Sequence, residues 1–110
     1  MEANAMSKPA SRTVPLSREL QTHRGPIKEI VLNEPTLRTF RQYGEPWKLT
    51  SNKDGHSTEF DNAALTGFLV DMSGHDIVVL ETMPARDWIS VRQAMVELLM
   101  GVAGDRPTAA

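Results

Sequence analysis

The stretch Ile27–Arg41 reads IKEIVLNEPTLRTFR and changes periodicity in the middle. Ile27, Ile30 and Leu32 are apolar and Val31 is β-branched, so the first half predicts a half-buried strand. Pro35 has no N–H to give a ladder and pushes Glu34 into an extended conformation. Thr36 then stands at an N-cap position, where its hydroxyl can accept from the N–H of Arg38 or Thr39. Leu37, Phe40 and Arg41 follow at helical spacing and Gly44 marks the stop, which predicts a helix over Thr36–Tyr43. A strand therefore becomes a helix across Asn33-Glu34-Pro35-Thr36.

Upstream, Thr13–His23 interleaves Val14, Leu16 and Leu20 with polar residues, an irregular strand that Pro15 confines to an edge or a strand start. Arg24-Gly25 separates this run from the strand at Ile27, so the two read as a β-hairpin. A lone hairpin is marginal in water, and its apolar face must rest on helices. Residues 1–12 are small and polar and read as a disordered tail, and 104–110 as a flexible one, leaving a single domain over 13–103.

Downstream, Gly44–Glu59 is polar and punctuated by Pro46, Asn52, Asp54 and Gly55, and is expected as a loop. Trp47 lies in it, either folded back on the hairpin and first helix or exposed as an anchor for a partner. Leu65, Phe68, Leu69 and Met72 fall at i, i+3, i+4 and i+7, an amphipathic helix that Gly74 stops. Thr58 and Asp61 have capping-box-like spacing ahead of it. His75–Met83 is read as a short helix, since a brief turn precedes it and Pro84 opens the next element. The last helix covers about Ala85–Val102, with Asp87 at its positive dipole end. Trp88, Val91, Met95, Leu98 and Val102 form one stripe; Ile89, Val96 and Met100 form a second. The apolar sector is wider than one packing face needs, and Ile89, Val96, Met100 and Trp47 are the candidate partner-binding residues. The fold class is α+β: an N-terminal β-hairpin packed on three to four α-helices.

Chemistry is sparse. The chain has 110 residues, 40% of them hydrophobic, and a net charge of −2. A domain this small buries only about two-thirds of its unfolded surface, so self-association or a partner would supply further burial. No Lys/Arg run suits a phosphate backbone, which argues against nucleic acid. There is no cysteine, hence no disulfide, thiol nucleophile or thiolate metal site. No segment has signal-peptide character or the ~18–20 apolar residues that span a bilayer, so no membrane is expected. His23, His56 and His75 lack metal-ligand spacing. Ser73-Gly74-His75 lacks the setting of a nucleophile elbow. Glu59/Asp61 and Asp71/Asp76 read as caps or solvated carboxylates. No glycine loop cradles a phosphate. No enzyme site and no cofactor are expected. Six methionines, among them Met95 and Met100, suit an adaptable binding surface. A small regulatory or adaptor protein, binding another protein or DNA through its helices, is one function that fits.

The order of segments also resembles the Mu-like and P2-like phage tail assembly chaperones. In that family a strand commonly ends in Leu-Arg-Glu-Pro-Thr and opens a helix. Leu32, Glu34, Pro35 and Thr36 match, while Asn33 stands where arginine is usual and Thr39 where an acid is common. ALTGFLVDMSG and then ARDWISVRQAM are similar too, with Asp87 and Trp88 in the small/Asp/aromatic step that begins the family's last helix. The resemblance spans about residues 13–103. It implies a non-catalytic protein in the cytoplasm of the bacterial host, absent from the mature virion. Its implied partners are a tape-measure protein, kept soluble, and a tail-tube protein, whose polymerisation it assists. It further implies a longer form of the chain made by ribosomal frameshifting.

Overall fold

The hairpin at the start of the chain forms from strands β1 (Ser11–Thr22) and β2 (Gly25–Asn33). The computed structural model describes residues 10–104, with side chains to residue 101. Most of both expected tails therefore lies outside the described residues. Ser11 and Arg12, assigned to the first tail, are strand residues, and Gly104, assigned to the second, closes the last helix. The register runs Val14↔Ile30 and Pro15↔Glu29, then resumes at Leu20↔Ile27. Leu16–Glu19 thus bulge out of the ladder opposite Lys28. A bulge re-aims the side chains beyond it, and the buried Val14, Leu20, Ile30 and Leu32 share one core on both sides of it.

Glu34 prolongs the ladder past Asn33. Its N–H donates to the Ala10 carbonyl at 3.0 Å, and its Oε1 accepts from the Ala10 N–H at 3.2 Å. Pro35 then ends pairing, and helix α1 (Leu37–Tyr43) begins. Thr36 is the N-cap residue, but its hydroxyl makes no capping bond; its carbonyl accepts from the Thr39 N–H instead. Leu37 is exposed. The inward face of α1 is Thr39, Phe40 and Tyr43, with Phe40 edge-on to Phe68 at 4.9 Å.

The expected loop over 44–59 is a second hairpin, β3 (Trp47–Asn52) and β4 (Gly55–Phe60). Both hairpins turn by one device. Residue i's side chain accepts from the N–H two residues on, Thr22 from Arg24 at 3.1 Å and Asn52 from Asp54 at 2.8 Å. A glycine at positive φ follows, Gly25 at 109° and Gly55 at 128°, where a Cβ would be strained.

Helix α2 (Asn62–Ser73) is the centre of the core, with Leu65, Phe68, Leu69 and Met72 all buried. Asp61 caps it, Oδ1 accepting from the Ala64 N–H at 3.1 Å. Thr58 belongs to β4 and not to a capping box. Helix α3 (Ile77–Leu80) is a single turn capped by Asp76. Helix α4 (Ala85–Gly104) packs on β1, while α2 packs on β2 and α1 on α2. Val91, Met95, Leu98 and Leu99 are the buried apolar residues of α4. The architecture is α+β, with the first hairpin laid on a helical layer. Among the described residues no helix is long and apolar enough to cross a membrane.

Candidate binding surface

Asp87, in the first turn of α4, is only 4% exposed. Its Oδ1 accepts from the Ser17 N–H at 3.0 Å, and its Oδ2 accepts from the Ser17 hydroxyl at 2.9 Å. Ser17 sits in the bulge, where its amide has no ladder partner. The carboxylate thus takes the place of a ladder partner for the bulge amide and fixes the start of α4 on β1. Further along, Arg12 of β1 donates to Glu97 at 2.8 Å. That hydrogen bond, helped by one from Gln93, holds the Glu97 carboxyl below the ordinary glutamate range. These two contacts join the buried Val91, Met95, Leu98 and Leu99 in holding α4 on β1, and so decide which stripe faces outward.

The outward stripe is the second one. Ile89 is 55% exposed, Met100 43%, and Val96 between them is half-buried. Of the first stripe, Val91, Met95 and Leu98 are buried and Trp88 is half-buried, while the side chain of Val102 lies outside the described residues. Leu99, in neither stripe, joins the core.

The second hairpin extends this outward surface. Cross-strand partners share a face, so Trp47/Phe60, Leu49/Thr58 and Ser51/His56 lie on one side of the arm, and Lys48/Glu59 and Thr50/Ser57 on the other. The first side is the apolar one, with Leu49 72% exposed. Trp47 packs edge-on to Phe60 at 6.5 Å and also touches the core. Arg92 of α4 reaches the same spot: its guanidinium lies over the Phe60 ring, 5.9 Å from the centroid. It also makes a 3.4 Å bond to Asn62. On α4, Arg92 is three residues from Ile89 and four from Val96, the spacing of helical neighbours. Trp47, Phe60, Arg92 and the Ile89/Val96/Met100 stripe thus follow one another across β3, β4 and α4.

The remaining sequence candidates serve the scaffold. Leu32 is in the core, Glu34 ties β2 to Ala10, Pro35 and Thr36 form the junction, and Trp88 packs beside the core. Phe60, Leu49 and Arg92 escaped the sequence reading. The missed signal is Asp54-Gly55 between two runs containing Thr, Trp and Phe, a hairpin signature that puts Leu49 and Phe60 beside Trp47.

Catalytic arrangements are weaker. Ser51 Oγ and His56 Nδ1 lie 2.9 Å apart near the arm's tip, but both are exposed and no carboxylate orients the ring, as nucleophile activation would need. A groove of about 690 Å³ runs between α1, α2 and α3, lined by Tyr43, Thr66, Gly67, Val70, His75 and Ile77. Its rim carboxylate, Asp76, caps α3. No group of three or more His, Asp or Glu among the described residues could hold a metal ion. No family model, curated protein or solved structure matches the chain.

Proposed function

We propose that this protein is a non-catalytic binding protein of the phage tail-assembly-chaperone kind. In this reading it covers an apolar helical client, the tape-measure protein, and keeps it soluble in the host cytoplasm until tail-tube subunits displace it. The observation that supports the reading is the partly exposed apolar surface running from Trp47 and Phe60 to Ile89, Val96 and Met100. Two of its residue types, tryptophan and arginine, are those that most often dominate binding energy at protein interfaces. Release by tube protein is then a competition between interfaces and requires no turnover. DNA binding fits poorly, since α4 carries only Arg86 and Arg92 as cations.

Co-expression with a phage tape-measure protein tests the reading. The expected outcome is a soluble, co-purifying complex, with the client insoluble when expressed alone. A client equally soluble and unbound in both cultures would sink it.

A further inference from the structure

Arg92 is the one lysine or arginine among the described residues that is not exposed; it is half-buried. It is also the cation set among the apolar residues of the outward surface. Its neighbours leave it electrostatically unanswered. The contacts of its guanidinium are the Phe60 ring and one long bond to the neutral Asn62 amide, and among the described residues the ion pair is Arg12–Glu97. The acids around it are turned to other tasks: on α4, Asp87 accepts from Ser17 and Glu97 pairs with Arg12, while beside Phe60 and Asn62, Glu59 lies on the far side of the arm opposite Lys48 and Asp61 caps α2. A guanidinium offers five N–H donors in a rigid fork that matches a carboxylate. Such a group, half-buried over Phe60 and set at helical spacing from Ile89 and Val96, recognises an apolar partner that carries one negative charge.

We infer that Arg92 is a specificity-determining residue of this surface, and that the occupant is an amphipathic helix whose apolar stripe is interrupted by a carboxylate that pairs with Arg92. The helical form follows from the i, i+7, i+11 spacing of Ile89, Val96 and Met100, which presents a row of side chains along α4 for a second helix to straddle. The inference rests on the proposed client-binding role, and adds to it a rule for which client segments bind.

The test uses the full chain and two synthetic amphipathic helical peptides with leucines at i, i+3, i+7 and i+10. One carries glutamate at i+4 and the other glutamine. Binding is followed by tryptophan fluorescence at low salt. The glutamate peptide is expected to bind roughly tenfold tighter, the scale of one charge-assisted hydrogen-bonded pair. Arg92→Gln should erase the preference, and Arg92→Glu should transfer it to a lysine peptide. Unchanged circular dichroism shows that each variant is folded. Equal affinity of the two peptides for the native protein would overturn the inference while leaving the client-binding role standing. Binding of neither peptide would overturn both. A native dimer that excludes the peptide, and that Ile89→Asp converts to a peptide-free monomer, would assign the face to a second copy of the chain and overturn the inference as well.

Discussion

At the scale of single residues, the positions that look most like a site are the ones that hold the scaffold. Asp87 is a buried carboxylate, yet its two oxygens are spent on the bulge at Ser17. Asp87→Ala should cost ~1–3 kcal/mol of unfolding free energy, because the charge-assisted bonds from the Ser17 amide and hydroxyl to the buried carboxylate are lost together. Ser17→Ala removes only the hydroxyl and should cost about 0.5–1.5 kcal/mol. Urea melts of the two variants check the ranking, and an equal or reversed order would mean that the bulge amide finds another partner. Gly67 makes a different point. A Cβ there would collide with the body of the Tyr43 ring, so α1 and α2 approach only because residue 67 has no side chain. Gly67→Ala should destabilise by ~1–3 kcal/mol, as overpacked cores do, and Tyr43→Leu in the same chain should recover part of that loss. Thr36 shows the limit of reading caps from residue type. Threonine suits an N-cap, but here the backbone of the first turn satisfies its own amide.

At the scale of elements, what the chain discloses in advance depends on whether a segment's apolar residues face its own core. The strand at Ile30 and Leu32 and the helix at Leu65–Met72 are legible because burial enforces their period. The same holds for the hairpin at the N-terminus, whose partner strand carries Val14 and Leu20. The second hairpin is different. Its residues beyond Trp47 are exposed, so no core-facing alternation marks it, and its Asn, Asp and Gly read as loop punctuation. The strands are held by the turn and by cross-strand pairs alone. Gly55→Val should therefore melt the arm locally, since φ of 128° strains any residue with a Cβ. Faster amide exchange across β3 and β4 with an unchanged global urea midpoint is the expected result. A falling midpoint would show the arm to be part of the cooperative core. The pin between β1 and α4 has a pH signature. Glu97 is held below the ordinary glutamate range by Arg12 first and Gln93 second. A depressed folded pKa stabilises above the unfolded value and ceases to do so as pH falls through the folded one. The Tm difference between the native protein and Glu97→Gln should thus be constant near neutrality and shrink on acidification. It should also shrink with salt, because the pair is exposed. A difference that grows in acid would contradict the assigned cause.

At the scale of the whole molecule, the decisive quantity is how much of α4 the rest of the chain can cover. The first hairpin lies under one side of it, through Val91, Met95, Leu98 and Leu99. The surplus apolar width of α4 is legible in the sequence, but the direction it faces is not. That direction depends on how α4 docks, through its buried face and through Asp87–Ser17 and Glu97–Arg12, which are contacts between residues far apart in the chain. The second stripe ends up facing out beside the arm, with Ile89 and Met100 on the surface. Two charged residues there should be nearly free for folding and costly for binding. The double variant Ile89→Asp, Met100→Asp is expected to unfold cooperatively within about 1 kcal/mol of the native protein, as substitutions away from the core do. Its capture of co-expressed client should fall at least tenfold, because two carboxylates would have to be desolvated against an apolar helix. Val91→Asp sets the opposite expectation, since a charge at a fully buried position should unfold the domain outright. Circular dichroism melts and pull-downs on the same preparations separate the two effects. If the double variant unfolds as Val91→Asp does, the second stripe is core and the binding surface must be sought elsewhere. If it folds and still holds the client, the contact runs through Trp47 and Phe60 without α4.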